Sequence, residues 1–569
     1  MKSSYDDFRL TLTHEKQDAV RVAKGKGAVA SVSKQATELG IKVLKDGGNA
    51  FDAAFTVAFA LAIYHPQAGN IGGGGYVIFK EQKTKIPGCI NYREMSPSGA
   101  MKESYLTEKG LANPDATAFG PKSVCIPGTV KAFFTLQKSY GVLKAKDLLV
   151  YLSKLANEGC RITNYQAQCL NRLKQKLSFS PESKKIYGMK DRLFQNGDNL
   201  SNPDLAKTFL ILAREGEKSF YEGKIAEQIE QDLTENGGYV TVYDLKKYTI
   251  KEVKPIFTEF KGKVIWSVPP EGGGAILIEI MNILNRDVFF RIKPFTPDFF
   301  HYLSQSFKMA SIDRFFYLGD IALKNNAAYK NIFKKKYTYR LFSYIDKEKD
   351  VKTEVLESLM HPEEKNINVY DAKLSGNETT HFSIIDNEGN AVSNSYTLNL
   401  RYGSKWSVNG AGFLLNGSID AFSFFPGKPN YFGVIGNKPN LFAQNKRPAS
   451  NMSPVLITDG SNVDLVIGTP GGPSIQSSLA MILLLIIGNN TDPPDAVQNG
   501  RIHHQAWPDI LYKEIDGLPD DIIKALSRKG YTIQDKNEPI GDINGIFRSG
   551  DEYTAVSDYR REGYALSCL

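Results

Sequence analysis

An internal threonine can do acyl-transfer chemistry if the chain is cut just before it. The freed α-amine then shares a residue with the hydroxyl, so nucleophile and base arrive together. The segment Asn377-Glu378-Thr379-Thr380-His381-Phe382-Ser383 offers that arrangement, and Ser395-Tyr396-Thr397-Leu398-Asn399 closes the next strand-like run. An α-amine titrates at about 7.7–8.0, near the pH at which a general base works best. A Thr-Thr pair alone is also an ordinary strand feature, so its surroundings must decide.

Several elements are placed to hold such a site. Ala28–Val32 reads as a strand and Lys34–Leu44 as a helix that stops at Gly47-Gly48-Asn49. Asn49 and Asp52 can cap the apolar helix that follows. Four glycines, Gly72 to Gly75, run into a strand at Tyr76–Phe79. No Gly-Lys-Ser/Thr follows and no helix comes next, which excludes a phosphate loop and a dinucleotide fingerprint; close backbone approach is the remaining use. Residues 132–233 are mostly helical in pattern, Val264–Val268 reads as a strand, and Ala275–Leu284 and Phe300–Phe315 read as helices. Lys347–Glu378 is polar and aperiodic, as expected of an exposed, cleavable connector. Beyond it, strands are expected at Thr380–Ile385, Ala391–Tyr396, Val455–Thr458 and Val463–Gly468, helices at Ser474–Ile487 and Pro493–Asn499, and a strand pair over Gly545–Val556. Helices dominate the first part and strands the last third, packed as one α/β body.

Composition excludes several classes. The 569 residues are 42% hydrophobic and 23% charged, an ordinary globular balance, and the formal charge is +8. The basic run Lys334-Lys335-Lys336 has no interleaved aromatics, so it reads as a solvated face rather than a nucleic-acid site. The five cysteines, Cys89, Cys125, Cys160, Cys169 and Cys568, form neither a disulfide framework nor metal-ligand spacing. His503-His504 is not read as a metal site, since adjacent residues of a regular element point apart. Residues 1–26 read as a loose lead-in, and the first twenty lack the apolar core of a signal peptide. The apolar runs Ala53–Tyr64 and Leu479–Ile487 are too short to span a bilayer, which takes about 20 residues.

Ordered motifs along the chain carry a resemblance. They are Lys45-Asp46-Gly47-Gly48-Asn49-Ala50-Phe51-Asp52, His65-Pro66-Gln67-Ala68-Gly69-Asn70-Ile71-Gly72-Gly73-Gly74-Gly75, Tyr92-Arg93-Glu94-Met95, Ile126-Pro127-Gly128-Thr129-Val130 and Tyr317-Leu318-Gly319-Asp320. Thr379-Thr380-His381-Phe382-Ser383, Arg447-Pro448-Ala449-Ser450-Asn451-Met452-Ser453-Pro454 and Gly468-Thr469-Pro470-Gly471-Gly472 complete the set. From about Gly27 to Tyr564 the chain resembles the γ-glutamyltranspeptidase (glutathione hydrolase) family of N-terminal nucleophile hydrolases. The resemblance implies an α/β fold, an αββα sandwich formed jointly by two fragments. Residues 1–378 would form a large subunit and residues 379–569 a small one, after Thr379 cleaves its own bond to Glu378. It implies a γ-glutamyl donor, water or an amino acid or peptide amine as acceptor, and a γ-glutamyl-Thr379 acyl-enzyme. No metal or organic cofactor is implied. By resemblance Thr397 bonds the nucleophile's hydroxyl, Gly471 and Gly472 supply the oxyanion hole, and Arg93 clamps the substrate α-carboxylate. Asn399, Asp420, Ser450 and Asn451 fall at positions that hold the glutamyl head group. A periplasmic or secreted setting is also implied, which the first twenty residues do not support.

The pattern departs from the family in one place. After Leu415-Asn416, where the family commonly has two adjacent acids, the chain has Asp420 and then Ala421; Ser418 stands where Gln or Glu is frequent, and Asn451 replaces a Ser. Loss of the second acid removes a partner for the substrate α-ammonium. A donor with the α-carboxylate but no required free α-amine fits this pattern, as an internal residue of γ-linked polyglutamate would. The rival from another class is an uncleaved, non-catalytic binding protein; retention of Thr379, Thr397, Gly471 and Gly472 together argues against it.

Overall fold

The computed structural model describes residues 20–188, 192–320, 329–363, 379–431 and 433–568. Two seven-stranded, wholly antiparallel sheets dominate it. One runs in the order Arg21–Gly25, Glu552–Ser557, Asn544–Ser549, Asn462–Gly468, Val455–Asp459, Lys263–Ser267, Ile256–Phe260. The other runs Tyr564–Cys568, Gly27–Ser31, Thr380–Ile385, Ala391–Thr397, Gly74–Lys80, Gly88–Asn91, Lys251–Val253.

Period-two alternation sorts the side chains of these strands into layers. Ala28, Ala30, Ile78, Ile385 and Ala391 of the second sheet meet Leu456, Val466, Ile546 and Ala555 of the first in a core between the sheets. Their neighbours Val29, Val77, Phe79, Ile384 and Val392 point the other way, into a core shared with the helices Ala50–Tyr64, Thr129–Tyr140 and Pro203–Glu215. Ile457, Leu465, Ile467 and Phe547 do the same on the far face, against the helices Gly274–Leu284, Pro297–Tyr317 and Ile475–Leu483. The layers are therefore helix, sheet, sheet, helix, the αββα sandwich of the N-terminal nucleophile hydrolases. Small alanines on the inner faces let the sheets approach, and hydroxyls cross the gap. Ser393 donates to the Ile467 carbonyl at 3.1 Å and Ser383 to the Asn544 carbonyl at 2.9 Å.

The helix Ala50–Tyr64 begins at a reciprocal cap in which Asn49 accepts from the N–H groups of Phe51 and Asp52 while Asp52 accepts from Asn49 N–H. The glycine run has the expected use. A Cβ on Gly73 would lie 2.2 Å from the Thr397 carbonyl oxygen, and one on Gly75 2.2 Å from that of Ser395. The backbone of Gly72–Gly75 thus packs directly against the strand that carries Thr397.

Some expectations need correction. Arg21–Gly25, taken as part of a loose lead-in, is an edge strand paired with Glu552–Ser557. The connector Lys347–Glu378 is not aperiodic throughout: Thr353–Met360 is a helix that buries Leu356 and Met360. Residues 364–378, Glu378 among them, lie outside the described residues. The helix expected over Ser474–Ile487 is regular only to Leu483 and then widens by a π turn over Leu484–Gly488.

Candidate functional site

Sheet register places the first of the paired threonines. Thr380 pairs with Tyr396 and Ile385 with Ala391 in an unbroken ladder, so one further step sets Thr379 opposite Thr397. Directly opposed residues share a face. Thr380, Phe382 and Ile384 alternate onto the helix side, where Phe382 and Ile384 join the helical core and the Thr380 hydroxyl is buried without a hydrogen-bond partner. Thr379 takes the inner face, at the end of its strand. The two threonines are thus not interchangeable.

Thr379 opens onto a cleft whose wall includes Arg93, Thr397, Asn399, Ala421, Ser450, Asn451 and Gly472. Each is held by identifiable contacts. Thr397 Oγ1 accepts from the Asn399 N–H at 2.8 Å. Asn399 makes this bond from a left-handed backbone conformation, φ 72°, one that Asn tolerates better than most residues. Its side-chain amide donates to the Gly417 carbonyl at 2.9 Å. Ser450 is fixed through its backbone, its N–H donating to the Glu271 carbonyl at 2.7 Å.

The Arg93 guanidinium is almost fully buried, 2% exposed, and pairs with Glu94 at 2.5 Å. Its Nε has no hydrogen-bond partner. A buried guanidinium with an unused donor beside a cleft is suited to a planar carboxylate. Ser418, which stands where Gln or Glu is frequent in the family, donates to Glu94 at 2.9 Å and buttresses the Arg93 pair. Beneath lies Asn91, whose amide donates to Glu271 at 2.5 Å while its carbonyl oxygen accepts the Arg93 N–H. Burial first, and then the nearby Asp320, push the Glu271 carboxyl up to about 7.

Gly471 and Gly472 follow the strand Asn462–Gly468 at φ 146° and 54°. Both values favour glycine, and they turn the chain into the helix Ile475–Leu483. Neither N–H makes a hydrogen bond among the described residues. Gly472 lines the cleft and Gly471 adjoins it.

Asp420 departs from expectation. It does not line the cleft; the neighbouring Ala421 does. The short helical turn Ser418–Ala421 directs Asp420 inward, where its carboxylate accepts the Tyr431 N–H at 3.0 Å. Burial raises it to about 7. Among the described residues the cleft wall accordingly contains two arginines, Arg93 and Arg314, and no aspartate or glutamate. Asn451 lines the cleft, and its side-chain oxygen accepts from Arg314 Nε at 2.8 Å. Arg314 itself was not singled out from sequence. It is one of many polar residues on a long, mostly buried helix, with no spacing signal to single it out. His503 and His504 lie elsewhere, engaged with Ser477 at 2.8 Å and Asp509 at 3.1 Å. Among the described residues no group of three or more His, Cys, Asp or Glu is placed to hold a metal ion.

This arrangement can present a hydroxyl nucleophile, a neighbouring hydroxyl donor, two backbone N–H groups and a carboxylate clamp to one substrate. Comparison with known proteins identifies the family of the chain. The family model "Gamma-glutamyltranspeptidase" matches residues 36–568. The glutathione hydrolase proenzyme of Escherichia coli is 34% identical over 543 residues, covering 94% of this chain and 90% of the relative. The crystal structure of Helicobacter pylori γ-glutamyltranspeptidase superposes with a TM-score of 0.55 at 32% identity, covering 59% of this chain and 96% of that one. A cephalosporin acylase from Bacillus halodurans superposes with a TM-score of 0.80 over 98% of both chains at 22% identity, a likeness of fold.

Proposed function

Because the chain belongs to the γ-glutamyltranspeptidase family, we propose that Thr379 is its nucleophile and that the surrounding cleft binds the γ-glutamyl group. The protein is a γ-glutamyl hydrolase and transpeptidase that acts on glutathione-like substrates through a threonine nucleophile. The observation that carries the residue assignment is the ladder register, which sets Thr379 rather than Thr380 on the inner face opposite Thr397.

In the first reaction Thr379 Oγ attacks the carbonyl of Glu378. The peptide nitrogen leaves as the α-amine of Thr379, and water releases the resulting ester. Residues 1–378 and 379–569 then persist as two subunits. In the second, the Thr379 amine takes the hydroxyl proton as Oγ attacks the γ-carbonyl of the donor. Thr397, its oxygen already accepting from Asn399, donates to Oγ and orients it. The N–H groups of Gly471 and Gly472 receive the oxyanion; loss of one such donor typically costs about 2.7–4 kcal/mol. Arg93 takes the α-carboxylate, and Asn399 and Ser450 flank the head group. The leaving amine collects the proton, and water or an acceptor amine resolves the ester. A periplasmic or secreted setting is part of this proposal, by family resemblance; among the described residues no helix is long and apolar enough to cross a membrane.

A second reading concerns the preferred donor. With two arginines and no carboxylate on the wall among the described residues, the cleft favours donors rich in carboxylate over those identified by a free ammonium. Internal residues of γ-linked polyglutamate meet that description.

Intact mass and N-terminal sequencing of fresh protein test the assignment. Two fragments are expected, the smaller beginning at Thr379, with a single chain in Thr379→Ala. Cleavage at Thr380, or an uncut and inactive wild type, would overturn it.

A further inference from the structure

The turn that joins the strand Lys263–Ser267 to the helix Gly274–Leu284 is closed by the Gly272 N–H, which donates to the Pro269 carbonyl at 3.0 Å. Pro270 and Glu271 occupy its two central places, and Glu271 sits at φ 79°. A proline followed by a positive φ marks a turn whose third residue is usually Gly or Asn, because a larger side chain is strained there. Here a buried glutamate holds that place. Strain of this kind persists where surrounding contacts over-determine it, and it concentrates around binding sites. The contacts reach two segments of the cleft. The Glu271 carbonyl accepts the Ser450 N–H at 2.7 Å, and two residues on the Gly273 N–H donates to the Met452 carbonyl at 3.0 Å. The Glu271 side chain serves the other segment. Its Oε2 accepts from the Asn91 amide at 2.5 Å, and Asn91 Oδ1 accepts the Arg93 N–H at 2.9 Å. Its Oε1 accepts from Lys251 Nζ at 2.9 Å, which also reaches Asp320 at 3.1 Å. Asp320 accepts the Arg447 N–H at 2.9 Å, and the Arg447 guanidinium donates to the Asn91 carbonyl at 3.2 Å, which closes a ring of bonds around Asn91.

Glu271 does not line the cleft, whereas Arg93 and Ser450 do. Resting on the reading of Arg93 as the clamp for the donor α-carboxylate, we propose that Glu271 is a positioning residue: its carboxylate, through Asn91, sets Arg93 in register with Ser450 and so enforces selection of donors that carry the α-carboxylate. The main-chain bond to Ser450 needs no side chain, and glycine would adopt φ 79° with less strain. What the carboxylate adds is the bond to Asn91 and the ion pair with Lys251. Lys251 is 42% exposed, and such a pair contributes little. Asn91 is buried, so its bond is the one whose loss leaves a polar group without a partner and frees the backbone beneath Arg93. Two-point contact of a guanidinium with a carboxylate is sensitive to that backbone, since a displacement of about 1 Å can cost as much as about 100-fold in rate.

The test compares hydrolysis of γ-glutamyl-anilide with that of its α-carboxamide analogue. In the wild type kcat/KM for the acid should exceed that for the amide by at least about tenfold, the range of a hydrogen bond to a charged group. Glu271→Gly removes the carboxylate and keeps the turn. It should cleave into two fragments, with a melting temperature at or above that expected of Glu271→Ala, and its acid-to-amide ratio should fall at least about fivefold, mostly through KM for the acid. Glu271→Gln retains an acceptor for the Asn91 amide and should keep most of the ratio. Asn91→Ala breaks the same link from its other end; it should lower the ratio alike, and the double variant no further, since both act through one bond. A Glu271→Gly enzyme with the wild-type ratio, one that loses acid and amide donors equally, or one that stays uncut overturns the assignment, as does an additive double variant. A cleaved wild type that turns over acid and amide equally, or neither, would instead remove the clamp reading of Arg93 and this inference with it.

Discussion

Replacing Ala421 by aspartate should convert the cleft toward donors with a free α-amine. The Ala421 carbonyl is pinned by the Asn440 amide at 2.8 Å, so the direction of its side chain on the cleft wall is fixed. The added carboxylate would meet the substrate ammonium where the wall now offers only a methyl group. A hydrogen bond to a charged group contributes about 1.5–3 kcal/mol, which is roughly 10- to 150-fold in kcat/KM. An opposing effect comes from Asp420 next in sequence. Two carboxylates about 6 Å apart repel by roughly 3 kcal/mol at an effective dielectric of about 20, enough to erase the gain. Burial holds Asp420 protonated up to about pH 7, so the repulsion is absent below that pH and grows above it. The assay is the ratio of kcat/KM for γ-glutamyl-anilide over its N-acetyl analogue, measured at pH 6 and pH 8. Taking the ratio cancels changes in the nucleophile itself. Ala421→Asp should raise it at least about tenfold at pH 6 and much less at pH 8. An unchanged ratio at both pH values would refute the argument. So would a wild type that already favours the free amine by such a margin, because the ammonium would then be recognised elsewhere.

Two further perturbations probe the same region. Thr380→Val replaces a buried hydroxyl that has no partner with a methyl group of similar size. Cleavage before Thr379 should persist, and the melting temperature should stay level or rise, because an unsatisfied buried polar group costs about 1–3 kcal/mol; a variant that stays uncut would break the distinction between the two threonines. Asp420→Asn addresses pH. The folded carboxyl titrates at about 7 against about 3.9 when unfolded. Between those values the native state holds more protons, so stability is present at low pH and is lost as pH rises toward 7. The difference of about three units corresponds to at most about 4 kcal/mol. Asparagine does not titrate and can still accept the Tyr431 N–H. Its stabilising effect in thermal denaturation should therefore be larger at pH 7.5 than at pH 4.5, whereas an equal shift at both would show that ionisation is not the cause.

The parts of the site built from strong local patterns were legible in the sequence. Thr380–Ile385 and the run to Thr397 alternate cleanly because one face meets helices and the other a second sheet. Glycines crowded against a neighbouring backbone announce themselves by type alone, as Gly73 and Gly75 do. What escaped depends on tertiary placement. Arg21–Gly25 and Tyr564–Cys568 are edge strands, where one side lacks a partner, and in the first of them Arg21 and Lys24 replace alternation. Asp420 and Ala421 are adjacent, and only the direction of a single helical turn decides which reaches the cleft. Arg314 becomes informative once Asn451, distant in sequence, is seen to hold it.

The proposed position of the scissile bond, just before Thr379, would also explain how a cut chain can remain one enzyme. Thr380–Ile385 lies between Gly27–Ser31, from before the cut, and Ala391–Thr397, from after it. Ala391–Thr397 in turn pairs with Gly74–Lys80, Val455–Asp459 with Lys263–Ser267, and Arg21–Gly25 with Glu552–Ser557. Both sheets are thus woven from both sides of Thr379. Separating the pieces would expose strand edges within each sheet and the apolar faces packed on them, a far larger penalty than the loss of one peptide bond's tether. The cleft is shared in the same way: Arg93 and Arg314 come from upstream of the cut, and Thr379, Thr397, Ser450 and Gly472 from downstream. The proposed cleavage at the strand end would therefore add an amine beside the hydroxyl and leave the rest of the wall held by ladders that do not pass through the broken bond.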